Sequence, residues 1–165
     1  MNMQSAVPLT IRLSTMKDAR ELMMLDQLVW NERNTPSILC CSSRRQYLQS
    51  SPPGSQLLAI QQNQICGYVG FGHPHPLEIS RHVYDIHIAV HPHYQRRNIG
   101  TQLMDALCMH AHTQQVRKLT LRVLSTNTEA VHFYDKYGFV ENGRLQEQFY
   151  MNGQYVDDIF MTYWL

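Results

Sequence analysis

The sequence predicts a mixed α/β (α+β) layered fold, and three observations carry that prediction. Apolar residues alternate with period two near both ends of the chain. Segments with helical periodicity lie between them, one of them strongly periodic. Turn residues divide these segments into the order β-α-α-β-β-β-α-β-α-β-β. That order implies a central mixed sheet of about seven strands, flanked by about four helices on both faces.

Each element has a local reason. Leu9–Leu13 alternates around Ile11 and reads as the first strand. Ser14 or Thr15 can cap the helix that follows. Over Met16–Trp30, Ala19, Leu22, Met23, Asp26 and Trp30 recur at helical spacing, and Leu25 and Val29 widen the apolar face. Asn34-Thr35-Pro36 ends the segment, because a residue before Pro avoids the helical region. Arg44–Leu48 predicts a second helix, and Ser51-Pro52-Pro53-Gly54 a loop. Gln56–Ile60 and Ile65–Phe71 form a hairpin around Gln62-Asn63, and His73-Pro74-His75-Pro76 breaks it off. Val83–Val90 is the next strand, apolar at Ile86, Ile88 and Val90 and closed by His91-Pro92. Ile99–Ala111 is the strongly periodic helix, with Ile99, Leu103, Ala106, Leu107 and His110 on one side. Leu119–Leu124 is a strand. Asn127–Lys136 is a short helix that Gly138 can end. Leu145–Tyr150 and Tyr155–Trp164 read as a hairpin around Asn152-Gly153, the strongest short hairpin signal.

Composition narrows the function classes. The chain has 165 residues, 44% apolar and 16% charged, with eight Gly and seven Pro and no low-complexity run. These values fit one globular domain spanning 1–165. The net charge is +1, spread evenly along the chain, which argues against a nucleic-acid binder with a basic stripe. Met1–Pro8 lacks the basic and apolar regions of a signal peptide. No apolar run approaches the roughly 20 residues needed to span a bilayer. The expectation is a cytoplasmic protein with neither a membrane nor a nucleic-acid partner. Cys40, Cys41, Cys66 and Cys108 form no C-x-x-C pair and read as reduced thiols. The His73/His75 and His91/His93 pairs have no nearby Cys or carboxylate completing a zinc spacing. They read as solvated loop residues, with no metal expected. Met3, Met16, Met23, Met24 and the other Met read as core filler.

One loop carries chemistry. Gln95-Arg96-Arg97-Asn98-Ile99-Gly100-Thr101 follows a strand and opens directly into a helix. The first helical turn leaves backbone N–H groups unpaired, and the helix dipole adds partial positive charge. Such a loop suits a phosphate or pyrophosphate. Gly100 lets the backbone approach closely, and Arg96 and Arg97 can add charge-assisted contacts. An ordinary strand-to-helix turn with two solvated arginines is the alternative.

The run HPHYQRRNIGTQLMDAL resembles motif A of the GNAT superfamily of acyl-CoA-dependent N-acetyltransferases, Gln/Arg-x-x-Gly-x-Gly/Ala after a strand ending in Val-x-Pro. Gln95 and Gly100 match it, and Asn98 replaces the middle Gly. Asn is the non-Gly residue that best tolerates left-handed backbone angles. A second run, STNTEAVHFYDKYGF, is similar to the family's later motif through Asn127, Ala130, Tyr134, Gly138 and Phe139. The tail FYMNGQYVDDIFMTYW resembles the final hairpin of the polyamine and phosphinothricin acetyltransferase branches. The resemblance covers about residues 8–165 and is strongest from Val83 onward.

The resemblance implies a GNAT-like layered fold whose central mixed sheet is mostly antiparallel, and transfer of acetyl from acetyl-CoA to an amine, with no metal. Amines have a pKa of about 10, so a base must remove a proton before attack. Asp85 and His87 share one face of their strand, and either could serve; His87 has the more suitable ordinary pKa, near 6.5. Tyr134 occupies the family's proton-donor position, beside the small Ala130 and Gly138, while Phe133 and Tyr137 read as core residues. Ile88, Ala89 and Val90 fall where the family's strand pairs with the pantetheine arm, and a backbone N–H near Ala89 or Val90 could polarise the carbonyl. Asn127 reaches the pantetheine or the base's side of the site. The expected acceptor is a small-molecule primary amine. Protein or peptide N-acetylation, and a non-catalytic acyl-CoA sensor, are the alternatives. The apolar tail Tyr155, Ile159, Phe160, Met161, Tyr163 and Trp164 predicts a homodimer.

Overall fold

The computed structural model describes residues 8–37 and 41–165. The strands are β1 (Thr10–Leu13), β2 (Gln56–Gln61), β3 (Gln64–Gly72), β4 (Val83–Val90), β5 (Lys118–Leu124), β6 (Val140–Met151) and β7 (Gln154–Trp164). The helices are α1 (Ala19–Val29), α2 (Arg44–Ser50), α3 (Ile99–Thr113) and α4 (Thr128–Tyr137). The strands form a seven-stranded sheet in the order β1-β2-β3-β4-β5-β7-β6. Every pairing is antiparallel except β4 with β5. The expected mixed, mostly antiparallel sheet with four helices is the observed one.

Local chemistry sets the boundaries. The predicted helix from Met16 begins instead as a 3-10 turn, Met16–Asp18, before α1. A capping box holds that turn: Thr15 accepts from the Lys17 N–H, and Asp18 accepts from the Thr15 N–H at 2.7 Å. Asp18 also takes both ends of the Arg12 guanidinium, at 2.9 and 2.8 Å. Arg12 therefore holds the Asp18 carboxyl down at about 2. Gln62 and Asn63 at the β2–β3 turn, and Asn152 and Gly153 at the β6–β7 turn, all have positive φ, as hairpins with mirror-image turns require. β6 starts at Val140, five residues before the sequence predicts it. It is an edge strand exposed almost throughout, so burial imposes no apolar alternation on it. Its register with β7 is broken between Leu145 and Phe149.

Two apolar cores sandwich the sheet. α3 presses Leu103, Met104 and Leu107, all 0% exposed, against one face. Each such side chain contributes roughly 1.5–3 kcal/mol by leaving water. Tyr134 and Phe139 belong to the same cluster. α1 and α2 cover the other face through Leu22, Leu25 and Tyr47, packed on Leu58, Tyr68 and Ala89. The methionines divide: Met104 and Met161 are buried, whereas Met16, Met24 and Met109 are exposed. Core filling therefore does not account for Met16 or Met24, which lie on outward faces; Met3 lies outside the described residues. Cys41, Cys66 and Cys108 are free thiols, and Cys40 also lies outside the described residues.

β4 and β5 pair only at Val83↔Lys118, Tyr84↔Leu119 and Asp85↔Thr120. Past Asp85 the two strands part while β4 stays paired to β3 as far as Val90.

Candidate active site

The loop before α3 has the conformation its residues allow. Arg96 and Asn98 both stand in the left-handed region, with φ of 60° and 62°. Asn98 is the N-cap of α3. A non-Gly residue pays least for these angles when it is Asn or Asp, so Asn98 keeps the turn that a Gly would make. Left-handed residues alternating with ordinary ones curl the backbone into a concavity of N–H groups. Among the described residues, the N–H groups of Arg96, Arg97, Asn98, Ile99, Gly100 and Thr101 donate to no protein acceptor; the first bond of the helix runs from Gln102 to Asn98 O. Arg97 lies over the Tyr94 ring, 5.2 Å from its centroid. Gly100 has a packing role as well. A Cβ there would come within 3.1 Å of the Phe133 ring, so Gly100 sets how closely the start of α3 approaches α4.

A cleft of about 720 Å³ runs from this loop into the gap between β4 and β5. It is lined by Gln95, Arg96, Asn98, Ile99, Gly100 and Thr101 at one end and by Val29, Trp30, Asn34 and His87 at the other. The gap wall has an alternation of its own. The His91 N–H bonds to Cys66 O on β3. Backbone direction alternates along a strand, so His87 and Ala89 also turn toward β3. Ile88 and Val90 turn their N–H and C=O groups toward the gap. Ala89 therefore drops out as a carbonyl-polarising donor: its backbone serves the sheet and its side chain is 1% exposed in the core. Val90 and Ile88 remain.

His87 is positioned by an absence. Its Cα partner on β3 is Gly70, and a Cβ on Gly70 would fall 2.2 Å from the imidazole Cε1. The ring lies over that bare backbone, between Tyr68 at 5.6 Å and Trp30 at 6.3 Å. Trp30 is in turn tied to the Tyr68 hydroxyl, which donates to Asp26 at 2.6 Å. The ring opens to the cleft, yet the protein surrounding it lowers its pKa from the ordinary 6.5. Asp85 sits one pleat further along the same face, at the closed end of the gap and outside the cleft lining. It accepts from Thr120 Oγ1 at 3.2 Å, and burial raises its carboxyl pKa against the opposing pull of Thr120 and Arg122. The two predicted base candidates are thus neighbours, and His87 is the one that faces the cleft.

Tyr134 stands on the opposite side of the sheet, 6% exposed, packed edge-on against Phe133 and Phe139. Its hydroxyl has no hydrogen-bond partner among the described residues, and burial pushes its pKa well above 10. The Asn127 side-chain oxygen caps α4 by accepting from the Ala130 N–H at 3.4 Å. Asn127 and Ala130 both line the cleft. Gly138 makes its left-handed C-cap turn at φ 118°, where a Cβ would press on Tyr163; its smallness serves that turn and ring. Phe133, expected in the core, lines the cleft as well.

Four contributors escaped sequence reading: Gly70, Trp30, Asn34 and Arg122. Gly70 belongs to the spacing Gly67-x-x-Gly70-x-Gly72 in a strand, and glycine inside a strand is a signal of close approach. The others have no local signature, because their placement depends on tertiary packing.

The start of α3, with its unpaired N–H groups, lies at one end of a cleft that reaches the split between β4 and β5 and is lined by His87 and by Tyr134. Residues 18–139 match the acetyltransferase (GNAT) family. That match covers well over half of the chain, and the chain belongs to this family. A Streptococcus mutans UA159 protein, smu.2055, is 31% identical and superposes with a TM-score of 0.86 over 93% of this chain and 98% of that one. Spermidine N(1)-acetyltransferase of Vibrio cholerae is 34% identical over 74 residues, 44% of this chain and 43% of that relative. L-Amino acid N-acetyltransferase AaaT of Escherichia coli K12 is 28% identical over 116 residues, 70% of this chain and 71% of that one. The match to the spermidine enzyme therefore spans less than half of its length.

Proposed function

We propose that the protein is an N-acetyltransferase that moves the acetyl group of acetyl-CoA directly to a primary amine of a small molecule. The observation that carries this reading is the run of unpaired N–H groups from Arg96 to Thr101, opening into a cleft that passes between His87 and Tyr134. Use of acetyl-CoA is a property of the family, and the chain has the groups to hold it. The N–H concavity, with Arg96 and Arg97, suits the pyrophosphate. The gap-facing backbone of Ile88 and Val90 suits the amide-bearing pantetheine, paired as an added strand.

The bound cosubstrate supplies a thioester carbon. His87 takes the proton of the incoming ammonium; the protein around it lowers its pKa and favours the neutral, proton-accepting ring. The Val90 or Ile88 N–H stabilises the oxygen as it gains charge. The new C–N bond forms, the C–S bond breaks, and Tyr134 donates its proton to the departing thiolate; the second proton of the attacking nitrogen, released as the amide forms, returns through solvent to the Tyr134 oxygen. Burial of the phenol keeps that proton in place until the thiolate charge develops. Base and acid stand on opposite faces of the sheet, so the amine enters from the α1 side and the thiol leaves toward α4. We further propose that residues 1–165 act as one such domain, as a homodimer in the cytoplasm.

The test is release of free thiol from acetyl-CoA across a broad panel of small amines. Thiol release with some members is expected. Acetyl-CoA binding with no release above background would leave a non-catalytic acyl-CoA sensor. Release only with peptides would leave the protein-acetylating alternative. Tyr134→Phe is expected to lower kcat by roughly a hundredfold or more, with acetyl-CoA Kd unchanged by calorimetry. An unaltered kcat would remove Tyr134 from the chemistry.

A further inference from the structure

The acceptor side of the gap holds a cation that the reaction above does not use. Arg122 on β5 lies on the same face as Asp85 and His87, and it lines the cleft. Asp85 and Thr120 are the last paired residues. His87 and Arg122 are each two residues further along their strands, so they face one another across the opening gap. Arg122 is also held in place. Its Nε and Nη2 both donate to Asp158, a carboxylate only 3% exposed, and its guanidinium lies on the Phe160 ring at 5.0 Å.

The geometry points to Arg122 as the residue that reads the acceptor, and to an acceptor carrying a carboxylate a few bonds from its amine. This rests on the acetyl-transfer reading of the same cleft. A guanidinium has five N–H donors in a planar fork. Asp158 takes two of them, leaving three, including both on Nη1, for a ligand. The side chain is 53% exposed even while anchored. An arginine oriented by a buried carboxylate and stacked on an aromatic ring has lost its conformational freedom before the ligand arrives, so little entropy remains to be lost on binding. An amine placed at His87 puts a carboxylate on the same small molecule within reach of the opposite wall.

The same face is a poor site for a polyamine. A molecule with several ammonium groups needs several uncommitted carboxylates. Here Asp158 is engaged by Arg122, which leaves Asp85, exposed on the same face and accepting from Thr120, as a single carboxylate next to His87. Among the charged residues lining the cleft, Arg96 and Arg122 are cations and Glu129 alone is an anion. A second ammonium would meet Arg122.

The experiment compares L-amino acids, the amines left when their carboxylate is replaced by hydrogen, and spermidine, by kcat/KM with acetyl-CoA. The amino acids are expected to exceed their decarboxylated counterparts by roughly ten- to a hundredfold, the scale of hydrogen bonds to a charged group. Arg122→Lys keeps the charge and loses the fork, and should lower that ratio. Because Arg122→Gln alone strands a buried carboxylate, the double variant Arg122→Gln/Asp158→Asn is paired with it, and should bring the ratio to about one. Equal or better use of the decarboxylated amines or spermidine would overturn the inference, as would a ratio that survives both variants. Calorimetric titration of the CoA-loaded protein with the same compounds gives a reading independent of turnover. Amino-acid binding that needs Arg122, without thiol release from any amine, would sustain this inference while removing the transferase reading.

Discussion

At the scale of single residues, the site depends as much on missing atoms as on reactive ones. His87 holds its place because Gly70 has no side chain. Gly70→Ala should push the imidazole aside, cost about 1–3 kcal/mol of stability by overpacking, and lower kcat far more than it raises acetyl-CoA Kd. Urea unfolding and single-turnover rates would read the two effects separately, and an undisturbed rate would detach His87 from the chemistry. The direction of the His87 shift also fixes a pH dependence. Its folded pKa lies below the unfolded 6.5, so the neutral base persists to lower pH than in the unfolded chain and is lost as pH falls through the lowered value. Stability follows the same sign: below pH 6.5 the unfolded chain binds the proton more readily, and folding weakens on acidification. The acidic limb of kcat/KM should therefore have an apparent pKa below 6.5, and a limb above 6.5 would rule His87 out as the base. Asp85 and His87 could be singled out from the alternation of their strand, and Tyr134 from the resemblance to the family's later motif. Gly70 and Arg122 could not, because a bare backbone beneath a ring and an arginine held by Asp158 exist only once distant strands have paired.

At the scale of elements, the start of α3 is the most informative piece. Sequence alone identifies the turn and the free N–H groups, because both follow from residues close in the chain, and the resemblance to motif A marks Asn98 as the residue standing where the family has Gly. The structure adds that Arg96 shares the left-handed conformation and that Gly100 spaces α3 from Phe133. Asn98→Gly should keep acetyl-CoA affinity. Asn98→Val, which places a β-branched side chain at φ 62°, should cost about 1–2 kcal/mol or more and weaken binding. Calorimetry on both variants checks this, and equal binding by the Val variant would mean that the turn's shape does not carry recognition. The capping box of Thr15 and Asp18 was half legible: a cap was expected, the 3-10 turn was not, since only the Arg12 contact shows how tightly Asp18 is held.

At the scale of the whole molecule, seven strands and four helices could be ordered from periodicity and turns, because each element's pattern is local. The early start of β6 could not, since a strand exposed along its length carries no burial pattern. This bears on assembly. Ile159 and Met161, counted in the apolar tail, point into the core, and the sheet edge is β6 rather than β7. The apolar surface left on the hairpin is Val140, Leu145, Tyr150, Tyr155 and Trp164. A homodimer through this smaller surface is the expected state at micromolar concentration by light scattering, with Tyr150→Glu and Trp164→Glu together shifting it to monomer. A wild-type monomer would refute it.

The three-pair contact of β4 with β5 has a consequence for motion. β1 to β4 form one continuous ladder, and β5, β7 and β6 form another. A short seam joins them, and the cleft begins where that seam stops. Local opening costs least where fewest backbone bonds must break. The amide hydrogens of Lys118 and Thr120, which face β4, should thus exchange before those on the β5 flank facing β7, and the gap should breathe without the cores unfolding. The molecule is least firmly stitched directly beneath the place where its two reactants would meet.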